Sequence, residues 1–321
     1  MAPELVAAAA AARARRCCCR CSSLLLQPAA AARRQVISTK LQLPLNSSLL
    51  LPLLVLVVAA AAARGRRCCC RCSSLLLPLL VAAAAACRCS PSDLHEATTY
   101  EHRLGPSAID SILSAIAQAK AEATPGSALI TTSHGKFFSN GFDLAWAQAA
   151  GSRTGARERL HYMFKSFRPL VAAMMDLPMP TVAAVNGHAA AAGFILALSH
   201  DYVVMRRDKG VLYMSEVDIG LTLPDYCAAL FREKVGSATA RRDVLLRAKK
   251  IKGEEALRMG LVEAAYDSEE RVAEASMRLG KQLAGRKCTG EVYAEIRKSL
   301  YPDLCGVLGL DIKAVFSNSK L

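Results

Sequence analysis

Acidic side chains are almost missing from the first 92 residues. This leader holds 12 of the chain's 41 Lys and Arg residues and one carboxylate, Glu4. The remaining 29 basic and 26 acidic residues are nearly balanced, so most of the net charge of +14 belongs to the leader. A domain surface without a large excess of positive charge gives no reason to expect a phosphate-backbone partner, and we do not expect nucleic-acid binding.

Cysteine is scarce beyond residue 90. Only Cys227, Cys288 and Cys305 lie there, far apart, and we interpret them as free thiols of a reducing compartment. The other ten fall in short leader runs such as 17–21 and 68–72, without a histidine at zinc-finger spacing. A metal site is therefore not expected; palmitoylation is an alternative, and low-complexity filler is the favoured interpretation.

The leader also lacks the hydrophobic periodicity of a packed domain. Residues 14–26 return almost unchanged as residues 65–77, between Ala and Leu tracts, and we expect residues 1–92 to be disordered. An uncharged run before Arg64 is long enough to span a bilayer, but two prolines and two amides make a membrane anchor the less favoured reading. The Arg-, Ala- and Ser-rich composition also resembles an organelle transit peptide.

The free carboxyl end carries a competing address. Ser319, Lys320 and Leu321 spell the peroxisomal import tripeptide, which a receptor reads and which anchors nothing. We therefore expect the import receptor as a partner and the peroxisome as the location.

Residues 93–321 alternate between helical and strand periodicity, which predicts one α/β domain. Helical spacing covers residues 108–123, 157–175 and 191–199, and short buried strands cover 128–132, 181–185 and 202–206. Units of this size favour parallel pairing, with a site at the carboxyl ends of the strands.

Two loops rich in small residues follow predicted strands. Residues 137–144 read F-F-S-N-G-F-D-L, and residues 186–193 read N-G-H-A-A-A-A-G and run into a helix. Tight bends present bare N–H groups, and two such donors aimed at one point make an oxyanion hole. Ordinary turns are the alternative.

The same loops, together with S-E-V-D-I-G at residues 215–220, resemble the enoyl-CoA hydratase/isomerase (crotonase) superfamily, and in particular its isomerases. The resemblance covers roughly residues 100–321. It implies a spiral of ββα repeats and a C-terminal helical region that forms trimers or dimers of trimers. It also implies acyl-CoA thioester substrates and no metal or redox cofactor, coenzyme A being part of the substrate.

The resemblance further implies the site residues. The backbone N–H groups of Phe142 and Ala192 would be the oxyanion donors, and Glu216 would be the catalytic base. The substrate would lie along Asn140, Gly141, Phe142, Asp143, Leu144 and Ala192.

Hydratases of this family use two glutamates, and the position of the first is Ile195 here. One carboxylate suffices for a 1,3-proton shift, so we expect isomerisation of 3-enoyl-CoA to 2-trans-enoyl-CoA in β-oxidation of unsaturated fatty acids. Another crotonase reaction, hydration or thioester hydrolysis, and an inactive acyl-CoA-binding protein are the alternatives.

Several other polar residues have weaker assignments. Asp225, beside Pro224, is the fallback base, and His188 and His200 are expected to satisfy loops. Two basic pairs, Arg241-Arg242 and Lys249-Lys250, either meet the coenzyme A phosphates or lie on solvated helix faces.

One departure from the family lies at the front of the domain. Relatives open with a β-hairpin, whereas residues 90–105 show no strand pattern. We therefore expect the hairpin to be missing and one sheet edge to be bare.

Overall fold

The computed structural model describes residues 53–57, 101–286 and 288–315. The leader repeats, the cysteine runs and the import tripeptide Ser319–Lys320–Leu321 therefore lie outside the described residues. Residues 90–100 also lie outside the described residues. They belong to the segment in which relatives have a β-hairpin and this sequence shows no strand pattern.

The described residues form nine strands and ten helices. The strands are β1 Leu53–Val57, β2 Ala128–Thr132, β3 Phe137–Ser139, β4 Thr181–Val185, β5 His188–Ala190, β6 Tyr202–Arg206, β7 Val211–Tyr213, β8 Ile251–Lys252 and β9 Ala264–Tyr266. The helices are α1 Pro106–Ala121, α2 Leu144–Gln148, α3 Arg153–Met175, α4 Ala192–Leu198, α5 Asp225–Lys234, α6 Ala238–Leu245, α7 Gly253–Arg258, α8 Glu269–Ala284, α9 Gly290–Leu300 and α10 Pro302–Leu308.

From β2 to β7, successive strands alternate between two sheets. The first sheet has the order β1-β2-β4-β6-β9 and is parallel throughout. The second has the order β3-β5-β7-β8, in which only β8 runs antiparallel to its neighbour. The pairs β2–β3, β4–β5 and β6–β7 each place one strand in each sheet, and each pair is followed by at least one helix. This is the spiral of ββα repeats that the sequence resemblance implied.

Strand β1 corrects the expectation of a bare sheet edge. Its five residues pair in parallel with β2, Leu53 opposite Ala128 and Val57 opposite Thr132. The edge of β2 is therefore covered, although no hairpin was recognised in the sequence. These five residues have ladder partners on β2, and disorder of the leader stays a prediction. Among the residues that the structure describes, no helix is both long and apolar enough to cross a membrane.

Helix α3 shows why the larger core forms where it does. Ser152 caps the helix, its Oγ accepting from the N–H of Gly155 at 3.0 Å. The helix buries one face at helical spacing against α1 and the first sheet: Met163, Phe167, Leu170, Val171, Met174 and Met175. Strand β4 is buried on both sides because it lies in the middle of a parallel sheet.

A buried guanidinium fixes the C-terminal helices to this core. The Arg297 side chain on α9 makes two bonds of 2.7 Å to the Asp201 carboxylate. It also donates to the carbonyls of Leu177 and Met179 at 2.6 and 2.5 Å. A buried charge is tolerated when it is paired and fully hydrogen-bonded in this way.

Two segments interpreted as loops contain short strands. Phe137–Ser139 is β3 and His188–Ala190 is β5, and the two pair in parallel. Three-residue strands are too short to show a period of two, so the sequence pattern did not reveal the second sheet.

Candidate active site

Pairing of β3 with β5 brings the two small-residue loops together. Phe137 lies opposite His188, and Ser139 lies opposite Ala189. Close contact continues beyond the strands, because a Cβ atom on Gly193 would lie 2.3 Å from the Ser139 carbonyl oxygen. Only glycine allows this approach, so the first turn of α4 packs directly on the β3 backbone.

Asn186 fixes the start of the second loop. Its Nδ2 donates to the carbonyl of Ser133 at 2.6 Å and to Oγ1 of Thr132 at 2.9 Å. The loop that follows β4 is thereby fastened to the end of β2. Both segments leave the carboxyl ends of parallel strands, as expected for a site in this fold class.

The backbone direction at Phe142 leaves its N–H free of the neighbouring chain. Leu104 forms an isolated parallel bridge with Phe142. In this bridge the Leu104 N–H donates to the Gly141 carbonyl at 2.8 Å, and the Leu104 carbonyl accepts from Asp143 at 3.4 Å. Because N–H groups alternate in direction along an extended chain, the N–H of Phe142 points away from Leu104.

The second donor belongs to Ala192, the first residue of α4. An N–H in the first turn has no acceptor inside its own helix. The residue before it, Ala191, has φ +48° and ψ −121°, a conformation that favours glycine, and its N–H donates to the Tyr213 carbonyl at 2.9 Å. A Cβ atom on Gly141 would lie 3.4 Å from the Ala192 nitrogen. The two expected donors are therefore on backbone segments in contact.

A cavity of about 150 Å³ opens beside these segments. Its lining is largely apolar and comes from both loops, from α3 and from the segment after β7: Arg103, Asn140, Phe142, Leu144, Leu160, Phe164, Ala190, Ala191, Tyr213, Ser215, Glu216, Ile219, Leu221, Thr222 and Pro224. The Phe142 ring packs edge-on against Phe164 and Phe167, with centroid distances of 5.2 and 5.4 Å. The cavity is thus closed on one side by aromatic packing.

Glu216 is the one carboxylate among the residues that line this cavity. Its side chain is half-buried, and Oε2 has no hydrogen-bond partner among the described residues. Burial raises the pKa of Glu216, against the opposing effect of the backbone N–H groups of Glu216 and Ser215. A carboxylate with an unoccupied oxygen and a raised pKa is suited to accept and return a proton.

No second carboxylate faces the cavity from the described residues. Ile195 lies on α4 with 1% of its surface exposed and belongs to the apolar core. Asp225, the fallback base, is exposed at the start of α5, and its Oδ1 accepts from the Tyr226 N–H at 2.7 Å. It does not line the cavity, although its neighbour Pro224 does.

The structure places the residues of the first loop in different roles. Asn140, Phe142 and Leu144 line the cavity, and Asn140 Oδ1 accepts from the Tyr213 hydroxyl at 3.2 Å. Asp143 instead caps α2, accepting from the Trp146 N–H at 3.0 Å, and it is absent from the lining. Gly141 and Ala192, also expected along the substrate, are likewise absent from the lining.

The two histidines lie outside the cavity lining. His200 is fully buried, donates from Nδ1 to the Leu196 carbonyl at 2.9 Å, and bonds Thr131 Oγ1 through Nε2 at 2.7 Å. Burial lowers the pKa of His200 to about 4, so it is neutral at physiological pH. His188 packs edge-on against Phe137. His200 thus fits its expected structural role, whereas the buried Nδ1 of His188 has no hydrogen-bond partner among the described residues.

The two basic pairs, Arg241-Arg242 and Lys249-Lys250, also differ in their contacts. Arg241 donates to the carbonyls of Arg232 and Val235 at 2.8 Å, and Lys249 pairs with Glu255. Lys250 is the member nearest the cavity, with Nζ 5.8 Å from the ring centre of Tyr213. Sequence reasoning did not find Tyr213 or Arg103, since an isolated Tyr or Arg carries no motif.

Among the described residues, no group of three or more His, Cys, Asp or Glu side chains could hold a metal ion. What the fold offers is one carboxylate in an apolar cavity, beside two backbone segments that are in contact. These features define an α/β protein of the crotonase class.

Comparison with known proteins agrees with this class. The family described as Enoyl-CoA hydratase/isomerase matches residues 103–308, and the chain belongs to that family. It is 67% identical to Arabidopsis thaliana "Enoyl-CoA delta isomerase 2, peroxisomal" over 69% of this chain and 92% of the relative. It is 49% identical to "Enoyl-CoA delta isomerase 1, peroxisomal" of the same plant, over 62% and 81%.

Solved structures show the same fold. The structure of a probable enoyl-CoA hydratase from Mycobacterium tuberculosis H37Rv superposes with a TM-score of 0.59 at 25% identity. The match covers 66% of this chain and 84% of that one.

Proposed function

We propose that this chain isomerises 3-cis- and 3-trans-enoyl-CoA to 2-trans-enoyl-CoA, with Glu216 as the single acid–base residue. The observation that carries the proposal is the placement of Glu216. It is the one carboxylate lining an apolar cavity that Phe142 and Ala191, the neighbour of Ala192, also line. The named isomerase relatives, at 49% to 67% identity, support the same reaction. The activity belongs to the β-oxidation of unsaturated fatty acids.

The reaction is a proton transfer between two carbons of one substrate. Glu216 takes a proton from C2, and the electron pair of that C–H bond delocalises onto C4 and the thioester oxygen as a dienolate. The N–H groups of Phe142 and Ala192 donate to this oxygen as it gains negative charge. Glu216 then returns its proton to C4, which leaves the double bond between C2 and C3.

The environment of Glu216 suits both halves of this cycle. Burial raises its pKa, so the carboxylate is a stronger base than an exposed glutamate and its acid form persists long enough to reprotonate carbon. No electron is gained or lost, so the proposed chemistry needs no redox group, and coenzyme A enters as part of the substrate.

Hydration fits the cavity less well than isomerisation. A hydratase of this family activates water with a second carboxylate, and Ile195 occupies that position within the apolar core. An aliphatic side chain neither takes a proton from water nor donates one.

The test is an assay of the purified full chain with 3-cis-hexenoyl-CoA, following formation of the conjugated 2-enoyl thioester. Hydration of 2-trans-hexenoyl-CoA and release of free coenzyme A are measured in parallel. We expect isomerisation to dominate both other reactions. Efficient hydration would overturn the one-carboxylate argument, and binding without any turnover would favour the inactive acyl-CoA-binding alternative.

The location proposed for this enzyme is the peroxisome, through capture of Ser319, Lys320 and Leu321 by the import receptor. Two of the named relatives are peroxisomal isomerases, which supports this location. Deleting the tripeptide from a fluorescent fusion should leave the protein in the cytosol. If the deletion changes nothing and the fusion enters another organelle, the leader is the operative signal.

The assembly proposed is a homotrimer or a dimer of trimers, as the resemblance implies. Light scattering on the purified chain measures the mass directly, and a monomer would contradict the proposal.

A further inference from the structure

The cavity is too small for a long acyl chain. Its volume of about 150 Å³ equals that of an engineered protein cavity that binds benzene, a ring of six carbons. The reacting part of a 3-enoyl thioester, C1 to C4 with its sulfur, fills most of that space. The rest of a longer acyl chain must therefore pass out of the cavity and along the protein surface.

The cavity lining indicates where such a chain leaves. One end is polar, since Arg103 donates to the Phe142 carbonyl at 3.3 Å and Tyr213 donates to Asn140. Another part of the lining is apolar, since the Phe142 ring packs edge-on against Phe164 on α3. Burial against this apolar part stabilises an acyl tail.

Residues 215–222, here called the lip, extend the apolar lining of the cavity to the exposed surface of the protein. Within the lip Asp218 and Ile219 donate to the Ser215 carbonyl at 3.1 Å, and Leu221 donates to the Glu216 carbonyl at 2.9 Å. The lip is thus a hydrogen-bonded turn that includes the base. Ile219 lines the cavity and is 51% exposed, and it is the one large apolar lining residue of the described chain that is mainly exposed.

We propose that Ile219 is a specificity-determining residue that favours substrates whose acyl chains extend beyond the cavity. The inference rests on the proposed isomerase function and adds a substrate class to it. The exposed part of the Ile219 side chain gains a contact partner only when methylene groups leave the cavity, because a short acyl chain ends before reaching it. Its contribution therefore separates long from short substrates.

The lip provides a matched control. Val217 is also 51% exposed and stands two residues away in the same turn, but it does not line the cavity. Ile219→Ser and Val217→Ser thus remove apolar surface of equal exposure at two positions that differ in access to the substrate. Ile219→Leu keeps the apolar contact and serves as the conservative variant.

The experiment compares kcat/KM for 3-cis-decenoyl-CoA and 3-cis-hexenoyl-CoA in the full chain and these three variants. We expect Ile219→Ser to lower the decenoyl-to-hexenoyl ratio about tenfold, the scale of losing one apolar pocket contact. Val217→Ser and Ile219→Leu should leave the ratio within about twofold of wild type. An unchanged ratio in Ile219→Ser, or an equal fall in Val217→Ser, overturns the proposal.

Binding of saturated decanoyl-CoA and hexanoyl-CoA, measured by calorimetry, applies the same comparison without turnover. Loss of decanoyl affinity in Ile219→Ser alone supports the inference even if the wild type isomerises nothing. Absence of isomerisation with any chain length would instead reject the proposed function, so the two failures can be told apart.

Discussion

Opposite sides of the cavity are built on different principles. The inner side, residues 140–144 and 186–193, is here called the backbone wall. Residues 186–193 are mostly small and buried, and the two segments are held by the β3–β5 strand pair and by contacts as close as that of Gly193 on Ser139. The lip presents side chains, with Glu216 facing the cavity and Ile219 half in solvent.

The difference teaches which substitutions each side tolerates. A backbone N–H is supplied by any residue except proline, so the proposed donor role of Phe142 and Ala192 depends on the path of the chain and not on their side chains. The lip works through particular functional groups. Changes of side-chain chemistry should therefore be most costly on the lip, and changes of backbone geometry on the wall.

The largest effect is expected from Glu216→Gln. The amide keeps the size of the side chain but does not accept a proton at neutral pH, so isomerisation should fall about a hundredfold or more while acyl-CoA binding persists. Steady-state kinetics and calorimetry measure the two quantities. Asp225→Asn removes a nearby carboxylate that is exposed and does not line the cavity, and it should leave the rate unchanged. Substantial activity in Glu216→Gln combined with loss in Asp225→Asn would move the base to Asp225.

The corresponding test of the wall is Gly141→Ala. Gly141 has φ +74°, and an added Cβ would lie 2.9 Å from the Ala190 carbonyl oxygen. The two loops must move apart, which displaces the Phe142 N–H, and we expect kcat to fall roughly ten- to a hundredfold. Gly260→Ala is the control, because Gly260 has φ +68° with no atom within 4 Å of the added Cβ. Gly260→Ala introduces the backbone strain without displacing the Phe142 N–H. Equal losses of kcat in both variants would therefore contradict the assignment of that N–H as an oxyanion donor.

The acidity of Glu216 gives a smaller, pH-dependent effect. The free enzyme needs the ionised carboxylate, so kcat/KM should fall as pH drops through the pKa of Glu216. Burial raises that pKa above the ordinary 4.5, so the acidic limb of the profile should lie at higher pH than for an exposed glutamate. The measurement is log kcat/KM against pH with a substrate that does not titrate in this range. A limb at or below pH 4.5 would show that the side chain is solvated in the working enzyme.

The smallest effect concerns Ala191 in the wall. Its conformation, φ +48° and ψ −121°, costs an alanine about 1–3 kcal/mol, whereas glycine adopts it freely. Ala191→Gly also loosens the unfolded chain, which offsets about 0.4–1 kcal/mol. The free energy of unfolding should rise by about 1 kcal/mol with little change in kcat. Ala190→Gly, in strand β5, should lower the free energy of unfolding instead. Denaturant titration of both variants measures the sign of each change.

Much of the first sheet was predictable from the sequence. Strands at 128–132, 181–185 and 202–206 have the bounds expected, because each is a buried apolar run ended by polar or glycine residues. The start of α3 lies four residues before the expected start at Arg157, at a Ser152 cap that periodicity does not register. Strand β1 was not predicted, because an apolar run in a leader of biased composition has no pattern that distinguishes a strand from a low-complexity tract.

The site was predictable only in part, and for a physical reason. Motifs indicated Glu216 and the two loops, since small residues at a tight bend leave a signature in the sequence. The role of Asp143 as a helix cap, the nearness of Tyr213 and the exposure of Ile219 depend on strand pairings that no local pattern specifies. Those contacts join segments that are far apart along the chain.

Because neighbouring strands of each sheet are far apart in the sequence, the order of synthesis limits when each sheet can form. Strand β6 emerges from the ribosome well before its neighbour β9, and the intervening residues take seconds to synthesise. During that interval the open edge of β6 can pair with another chain, which makes the nascent protein a natural client for chaperones. The second sheet needs β8 at Ile251–Lys252 and the first needs β9 at Ala264–Tyr266, so cellular yield should respond to translation speed and to chaperone supply.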